Sequence, residues 1–247
     1  MVASAHKGPP LNAALAIFVK TPGLSPIKTR LAHVIGADAA GEFYRLAVAA
    51  TAAVVRDAIA AGAELTPYWA VAEHAAVAHP DWQEFPTVWQ GHGELGDRLE
   101  CVHSELQARY GRVLLIGADS PQISSAHFAE ALAALHDPAI PFTMGRARDG
   151  GFWLLGSRAG IPRHVWQSVR YSDATTADQL CRALGTLGSI ACLSVLTDVD
   201  TANDLPYLQT ELAALAASVP EQLAVSTWIQ KHSPQFRRPL SAAPSDE

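Results

Sequence analysis

Two short apolar runs constrain this chain more than any other feature: Ala13–Val19 (Ala-Ala-Leu-Ala-Ile-Phe-Val) and residues 112–117 (Arg-Val-Leu-Leu-Ile-Gly). Neither alternates with polar residues. A strand of that kind must be covered on both faces, which is the situation of a central parallel strand between helical layers. The rest of the chain repeats the theme, with short strand-like runs separated by longer helical stretches. Strands are predicted over 14–19, 65–72, 87–90, 112–117, 142–146, 152–156 and 190–196. Helices are predicted over 38–61 (stopped by Gly62), 94–110 (capped by Gly111), from Ser124 or Ser125 to 136, 162–169, 174–184, 203–217 and 220–231. Repeated βα units predict a three-layer α/β/α architecture around a mostly parallel, mixed sheet. With no internal repeat and no convincing linker, one domain over 11–231 is expected, with 1–10 and 232–247 as flexible tails.

Charge and cysteine usage exclude several function classes. The chain has 247 residues, 49% of them apolar, and a net charge of −6. That balance argues against electrostatic binding to nucleic acid or an anionic membrane. No apolar run approaches the roughly 18 residues that span a bilayer. Three scattered cysteines, without CxxC spacing, fit reduced thiols and a cytoplasmic setting better than a disulfide framework or a zinc site.

Against this acidic background, residues 20–30 (Lys-Thr-Pro-Gly-Leu-Ser-Pro-Ile-Lys-Thr-Arg) carry three cations directly behind the first strand. Open α/β sheets bind ligands at the carboxyl ends of their strands. Lys20, Lys28, Thr29 and Arg30 therefore make a candidate phosphate-binding turn, and a solvated turn leading into a helix is the equally weighted alternative. It is not a Walker loop. The glycine that should precede the lysine is absent, and Pro26 lacks an N–H that a phosphate nest requires.

Carboxylates close two other strands. Asp119 ends the central strand in Gly-Ala-Asp-Ser-Pro, and Asp198 and Asp200 end the last one in Asp-Val-Asp-Thr. Alternation puts Asp198 and Asp200 on one face, so either can join Asp119 as a ligand for Mg²⁺ or Mn²⁺, ions held by carboxylates and substrate phosphates. Asp204 falls in the first turn of a helix, where negative charge suits the dipole. Asp149-Gly150-Gly151 reads first as a tight hairpin turn. Its second reading is a close approach to a ligand, with Asp149 accepting hydrogen bonds from a sugar or acceptor hydroxyl. Gly91-His-Gly93-Glu-Leu-Gly96 matches a dinucleotide-binding pattern, with Asp119 lying 23 residues beyond Gly96. The strand before it is short and polar, so the turn reads better as an active-site loop whose Arg98 reaches an anionic or hydroxylated ligand.

In order along the chain, Lys20-x-Pro…Lys28-Thr-Arg-Leu31, Gly93-x-Leu-Gly96-x-Arg98, Gly117-x-Asp119-Ser-Pro121, Asp149-Gly-Gly-x-x-Leu-x-Gly156 and Asp198-Val-Asp200-Thr-x-x-Asp204 resemble a family of small bacterial GT-A-like transferases. Its members are labelled as glycosyltransferases associated with arsenosugar biosynthesis or with radical-SAM/selenodomain proteins. They belong to the nucleotide-diphospho-sugar transferase superfamily, which also contains nucleotidyltransferases. One departure is Ser25, where the family has glycine. The resemblance implies a nucleotide diphosphate on the first loop, a divalent metal at Asp119 with Asp200 in support, and acceptor or sugar contacts near Asp149, Gly150 and Gly151. Asp119, Lys28 and Asp149 are the candidate catalytic groups. The implied activity is metal-dependent glycosyl transfer from a nucleotide-sugar to a small-molecule acceptor. Nucleotidyl transfer from an NTP with release of pyrophosphate is the alternative. An NAD(P)-dependent oxidoreductase and a nucleotide-sensing domain without turnover are lesser ones.

Overall fold

The computed structural model describes residues 12–236. The expected tails over 1–10 and from 237 onward lie outside the described residues. Among these residues seven strands form one sheet: β1 Ala13–Val19, β2 Leu65–Val71, β3 Thr87–Trp89, β4 Val113–Gly117, β5 Phe142–Ala147, β6 Phe152–Ser157 and β7 Ile190–Leu196. Their spatial order is β3-β2-β1-β4-β6-β5-β7. β6 runs antiparallel to both its neighbours, and the remaining pairs are parallel.

The sheet lies between two helical layers, the three-layer mixed architecture expected. α2 (Ala37–Ala60) and α4 (Ser125–His136) cover one face. α3 (Leu95–Tyr110), α5 (Arg163–Gln167) and α6 (Thr176–Gly185) cover the other. The pleat of β1 divides its side chains accordingly. Ala13, Leu15, Ile17 and Val19 join the α2–α4 core, while Ala14 and Ala16 join the α3 side. Ala13 through Ile17 are fully buried, each large apolar side chain contributing about 1.5–3 kcal/mol. A third cluster packs α1 (Thr29–Ile35), the front of α2, α7 (Leu205–Ala213) and α8 (Pro220–Phe236) beyond the carboxyl edge of the sheet.

Local chemistry sets the boundaries. Gly62 takes φ 96°, and the bonds Gly62 N–H to Ile59 O and Ala63 N–H to Ala58 O end α2 in a Schellman turn. Gly111, at φ 72°, caps α3. Three assignments need correcting. The short helix α1 follows the cationic turn immediately, bounded by Gly36 at φ 89°. α7 stops at Ala213, not near 217, after a 3₁₀ turn over Ala202–Asp204. α8 continues through Phe236, so residues 232–236 are helical where a flexible tail was expected. Among the described residues no helix is long and apolar enough to cross a membrane.

One polar pair is sealed within the core. The His103 Nε2 and Ser157 Oγ atoms lie 2.7 Å apart, and both residues are about 1% exposed. Burial pushes the His103 pKa down to about 4. Between that value and the model-peptide pKa near 6.5, the unfolded chain takes up a proton that the folded chain refuses. His103 therefore contributes its full stability above pH 6.5 and loses it as the pH falls toward 4, on the order of 3 kcal/mol in all. Denaturant unfolding of the wild type should show a steeper loss of stability between pH 7 and pH 5 than His103→Gln. Identical slopes would refute the assignment.

Candidate functional site

The carboxyl ends of β1, β4 and β7 open at one edge of the sheet. Because β6 is reversed, the β5–β6 turn lies there as well. The groups brought to that edge include the cationic loop after β1, Asp119 after β4, Asp198 and Asp200 after β7, and Asp149 in the hairpin turn. Val199 N–H donates to the Asp119 carbonyl at 3.1 Å, which pins the two acidic loops together. The Val199 side chain is fully buried in the third cluster, an apolar plug between two carboxylates.

Lys28 lies at the centre. Its Nζ is 2.8 Å from Asp119 Oδ1 and 3.4 Å from Asp200 Oδ1, and it donates to the Val199 carbonyl. The side chain is only 5% exposed. Its backbone is left-handed, at φ 44° and ψ 48°, a conformation that a non-glycine residue holds only where its surroundings impose it. Arg30 reaches Asp200 Oδ2 at 3.4 Å but is 64% exposed, so its pairing contributes little. Lys20 is exposed at the mouth of the loop, and Thr29 is exposed as the first residue of α1.

Asp119, Asp198 and Asp200 each offer a carboxylate oxygen, and these oxygens lie within 4.8 Å of one another. Three hard oxygen donors at such separations match the needs of Mg²⁺ or Mn²⁺. Both Asp198 and Asp200 are within reach of such an ion, so the two do not exclude each other. Burial, then the charge of Asp119, pushes the Asp198 carboxyl up to about 8, against the pull of the Lys28 ammonium. Burial opposes the charge on Lys28, yet Asp119, Asp198 and Asp200 outweigh it and hold its pKa above the ordinary value.

Several groups that sequence reasoning did not single out position these residues. Tyr44 Oη on α2 accepts from Lys20 N–H at 2.8 Å and donates to Lys20 O at 2.9 Å, fixing the start of the loop. Glu73 Oε2 accepts from Thr21 N–H, and Trp82 Nε1 donates to Thr21 Oγ1, each at 3.0 Å. Asp204, expected only to favour a helix dipole, takes the N–H groups of Asp200 and Thr201 on one oxygen at 3.1 and 2.7 Å. Glu211 accepts from Thr197 N–H and hydroxyl, Gln122 Nε2 and Arg148 Nε. It braces the root of the last acidic loop.

Among the remaining candidates, Arg98 and Gly150 are engaged within the chain, and the Asp149 turn is the hairpin of its first reading. Arg98 Nε donates to Gly93 O at 3.0 Å, bracing its own turn. Gly150 takes φ 92°, and a Cβ there would lie 1.8 Å from the Ala174 carbonyl oxygen. The close approach at Gly150 is thus to the chain itself, not to a ligand. Asp149 Oδ1 accepts from Gly151 N–H at 2.9 Å, the self-contained turn bond of a hairpin, although its charge still reaches Asp198. The Gly91–Gly96 pattern does not build a dinucleotide site. It follows the edge strand β3, three strands away from the Asp119 strand β4, and a Cβ on Gly96 would strike Tyr171 and the Trp166 carbonyl.

Tyr44→Phe removes two buried hydrogen bonds while keeping the ring, and should cost about 1–2 kcal/mol in denaturant unfolding. A change below about 0.3 kcal/mol would mean that Tyr44 does not hold the loop.

No curated protein sequence matches the chain. Among solved structures, a proposed nucleotide-diphospho-sugar transferase from Desulfovibrio desulfuricans G20 superposes with a TM-score of 0.76 at 22% identity, over 91% of this chain and 96% of that one. The 4-diphosphocytidyl-2C-methyl-D-erythritol synthase of Anaerococcus prevotii superposes with a TM-score of 0.50 at 10% identity, over 89% and 96% of the two chains. These likenesses establish the fold. At the level of sequence, the family described as "uncharacterized protein conserved in bacteria (DUF2064)" matches residues 46–173, just over half of the chain, and the chain belongs to that family.

Proposed function

We propose that this protein is a metal-dependent glycosyltransferase that takes a nucleotide-diphospho-sugar as donor. The observation that carries the reading is the convergence of Lys28 with Asp119, Asp198 and Asp200 in one cleft. Asp119, Asp198 and Asp200 would hold Mg²⁺ or Mn²⁺, which when bound supplies positive charge to the diphosphate that leaves. Lys28 and Lys20 bring ammonium groups to the same oxygens, where fixed cations favour the charge that develops as the sugar departs. The loop brings side-chain cations to the cleft, and part of its backbone is turned inward. Leu24 and Ser25 N–H groups both bond to Thr21 O, and Pro22 and Pro26 have no N–H to give.

Nucleotidyl transfer is the second reading, supported by the fold shared with the A. prevotii synthase. The narrower association with arsenosugar or radical-SAM proteins rests on the sequence blocks alone. A small-molecule acceptor would enter beside Asp149 and the β5–β6 turn, at the end of the cleft away from the cationic loop.

A thermal-shift screen of UDP-, GDP-, ADP- and CDP-sugars with and without Mn²⁺ tests the reading. One donor should raise Tm by about 5–10 °C near hundredfold saturation, and only with the metal present. Asp119→Ala should abolish the metal-dependent part. An unchanged response in that variant, with metal still adding to it, would overturn the site. Pyrophosphate release on incubation with NTPs and sugar phosphates would transfer the assignment to nucleotidyl transfer.

A further inference from the structure

Lys28 and the metal are assigned to the same carboxylates. Asp119 Oδ1 and Asp200 Oδ1 are within 2.8 and 3.4 Å of the Lys28 ammonium. Both residues belong to the triad whose ligand oxygens fit within 4.8 Å. A divalent ion needs carboxylate oxygens at roughly 2.0–2.2 Å, so it competes with the ammonium for these two groups. Two like charges brought side by side also repel. The ammonium is meanwhile well seated: it is 5% exposed, it donates to Val199 O, and its backbone is held in a left-handed conformation.

We propose that Lys28 is an internal stand-in for the metal, and that the metal and the diphosphate bind cooperatively because the metal displaces Lys28 onto the phosphate oxygens. The proposal rests on the transferase reading above. Metal entering alone must separate Lys28 from two carboxylates and a carbonyl with no replacement partner for its ammonium. Metal entering with a diphosphate offers that ammonium new anionic oxygens. The two ligands thus strengthen each other's binding, and by linkage the gain is mutual. Triad and cation loop form one exchange site, and a metal without its phosphate cargo is held weakly.

Mn²⁺ binding without any nucleotide, followed by the electron paramagnetic resonance signal of the free ion, tests this directly. Lys28→Gln should bind Mn²⁺ about tenfold or more tighter than wild type. Lys28→Arg should stay near wild type. Arg30→Gln, which removes an exposed charge from the same Asp200, should change affinity by no more than about threefold. Equal or weaker binding by Lys28→Gln overturns the proposal, as does an equal gain in Arg30→Gln, which would reveal a general field effect. A measurement on the wild type does not depend on the variant folding. Acetylation by an N-hydroxysuccinimide ester, read by peptide mass spectrometry, should spare Lys28 relative to exposed Lys20. Mg²⁺ alone, at a concentration that saturates the site as judged by displacement of Mn²⁺, should expose Lys28, and Mg²⁺ with pyrophosphate should protect it again. Lys28 labelling that stays unchanged at saturating Mg²⁺ overturns the proposal. Absence of any metal-dependent thermal shift with nucleotide-sugars would defeat the transferase reading itself, whereas a normal shift with equal Mn²⁺ affinities defeats only the exchange.

Discussion

Three carboxylates in one partly buried cleft repel one another unless a cation stands among them, and here the Lys28 ammonium does so. Much of the surrounding structure serves to keep that encounter in register. Val199 anchors the last acidic loop in the helical cluster and ties it to Asp119 through its N–H. Asp204 and Glu211 fix the loop's backbone on either side. Tyr44 ties the cationic loop to α2. One ammonium cannot neutralise three carboxylates; burial first, and then the charge of Asp119, hold the Asp198 pKa up against it.

The framework of the fold was legible because burial on two faces leaves a plain mark on sequence. Ala13–Val19 and residues 112–117 carry neither alternation nor an interior charge, and they became adjacent central strands. β7 was placed at its observed limits, although it is an edge strand, because Ile190 through Leu196 is flanked by Gly188 and Asp198. Helix ends were less legible where no glycine marks them. α7 breaks at Ala213 within an alanine-rich stretch whose propensity would extend it, and the next helix begins only at Pro220.

The site divides along a similar line. Charged residues at strand ends announce themselves, so the Lys28–Asp119–Asp198–Asp200 set could be assembled from position alone. Residues that act by holding a backbone group do not. Tyr44 sits among alanines on α2 with nothing to distinguish it from a core tyrosine, and Gln122 and Glu211 meet across 89 positions of sequence. Glycine patterns are ambiguous in the opposite sense. Gly96 and Gly150 are small because Tyr171 and Ala174 press against them, and a sequence pattern cannot tell an approaching ligand from an approaching neighbour.

The reversal of β6 has a consequence for how such a protein can diversify. On that side the cleft wall is a reverse turn closed by Ala147 N–H to Gly151 O and Gly150 N–H to Ala147 O, with the Ala174 carbonyl pressed against Gly150. A turn so enclosed tolerates neither insertion nor a bulkier residue at its tip. Variation in loop length, the ordinary route by which a scaffold acquires new substrates, is therefore diverted to the crossover segments. The hairpin stays a fixed landmark against which novelty elsewhere is aligned.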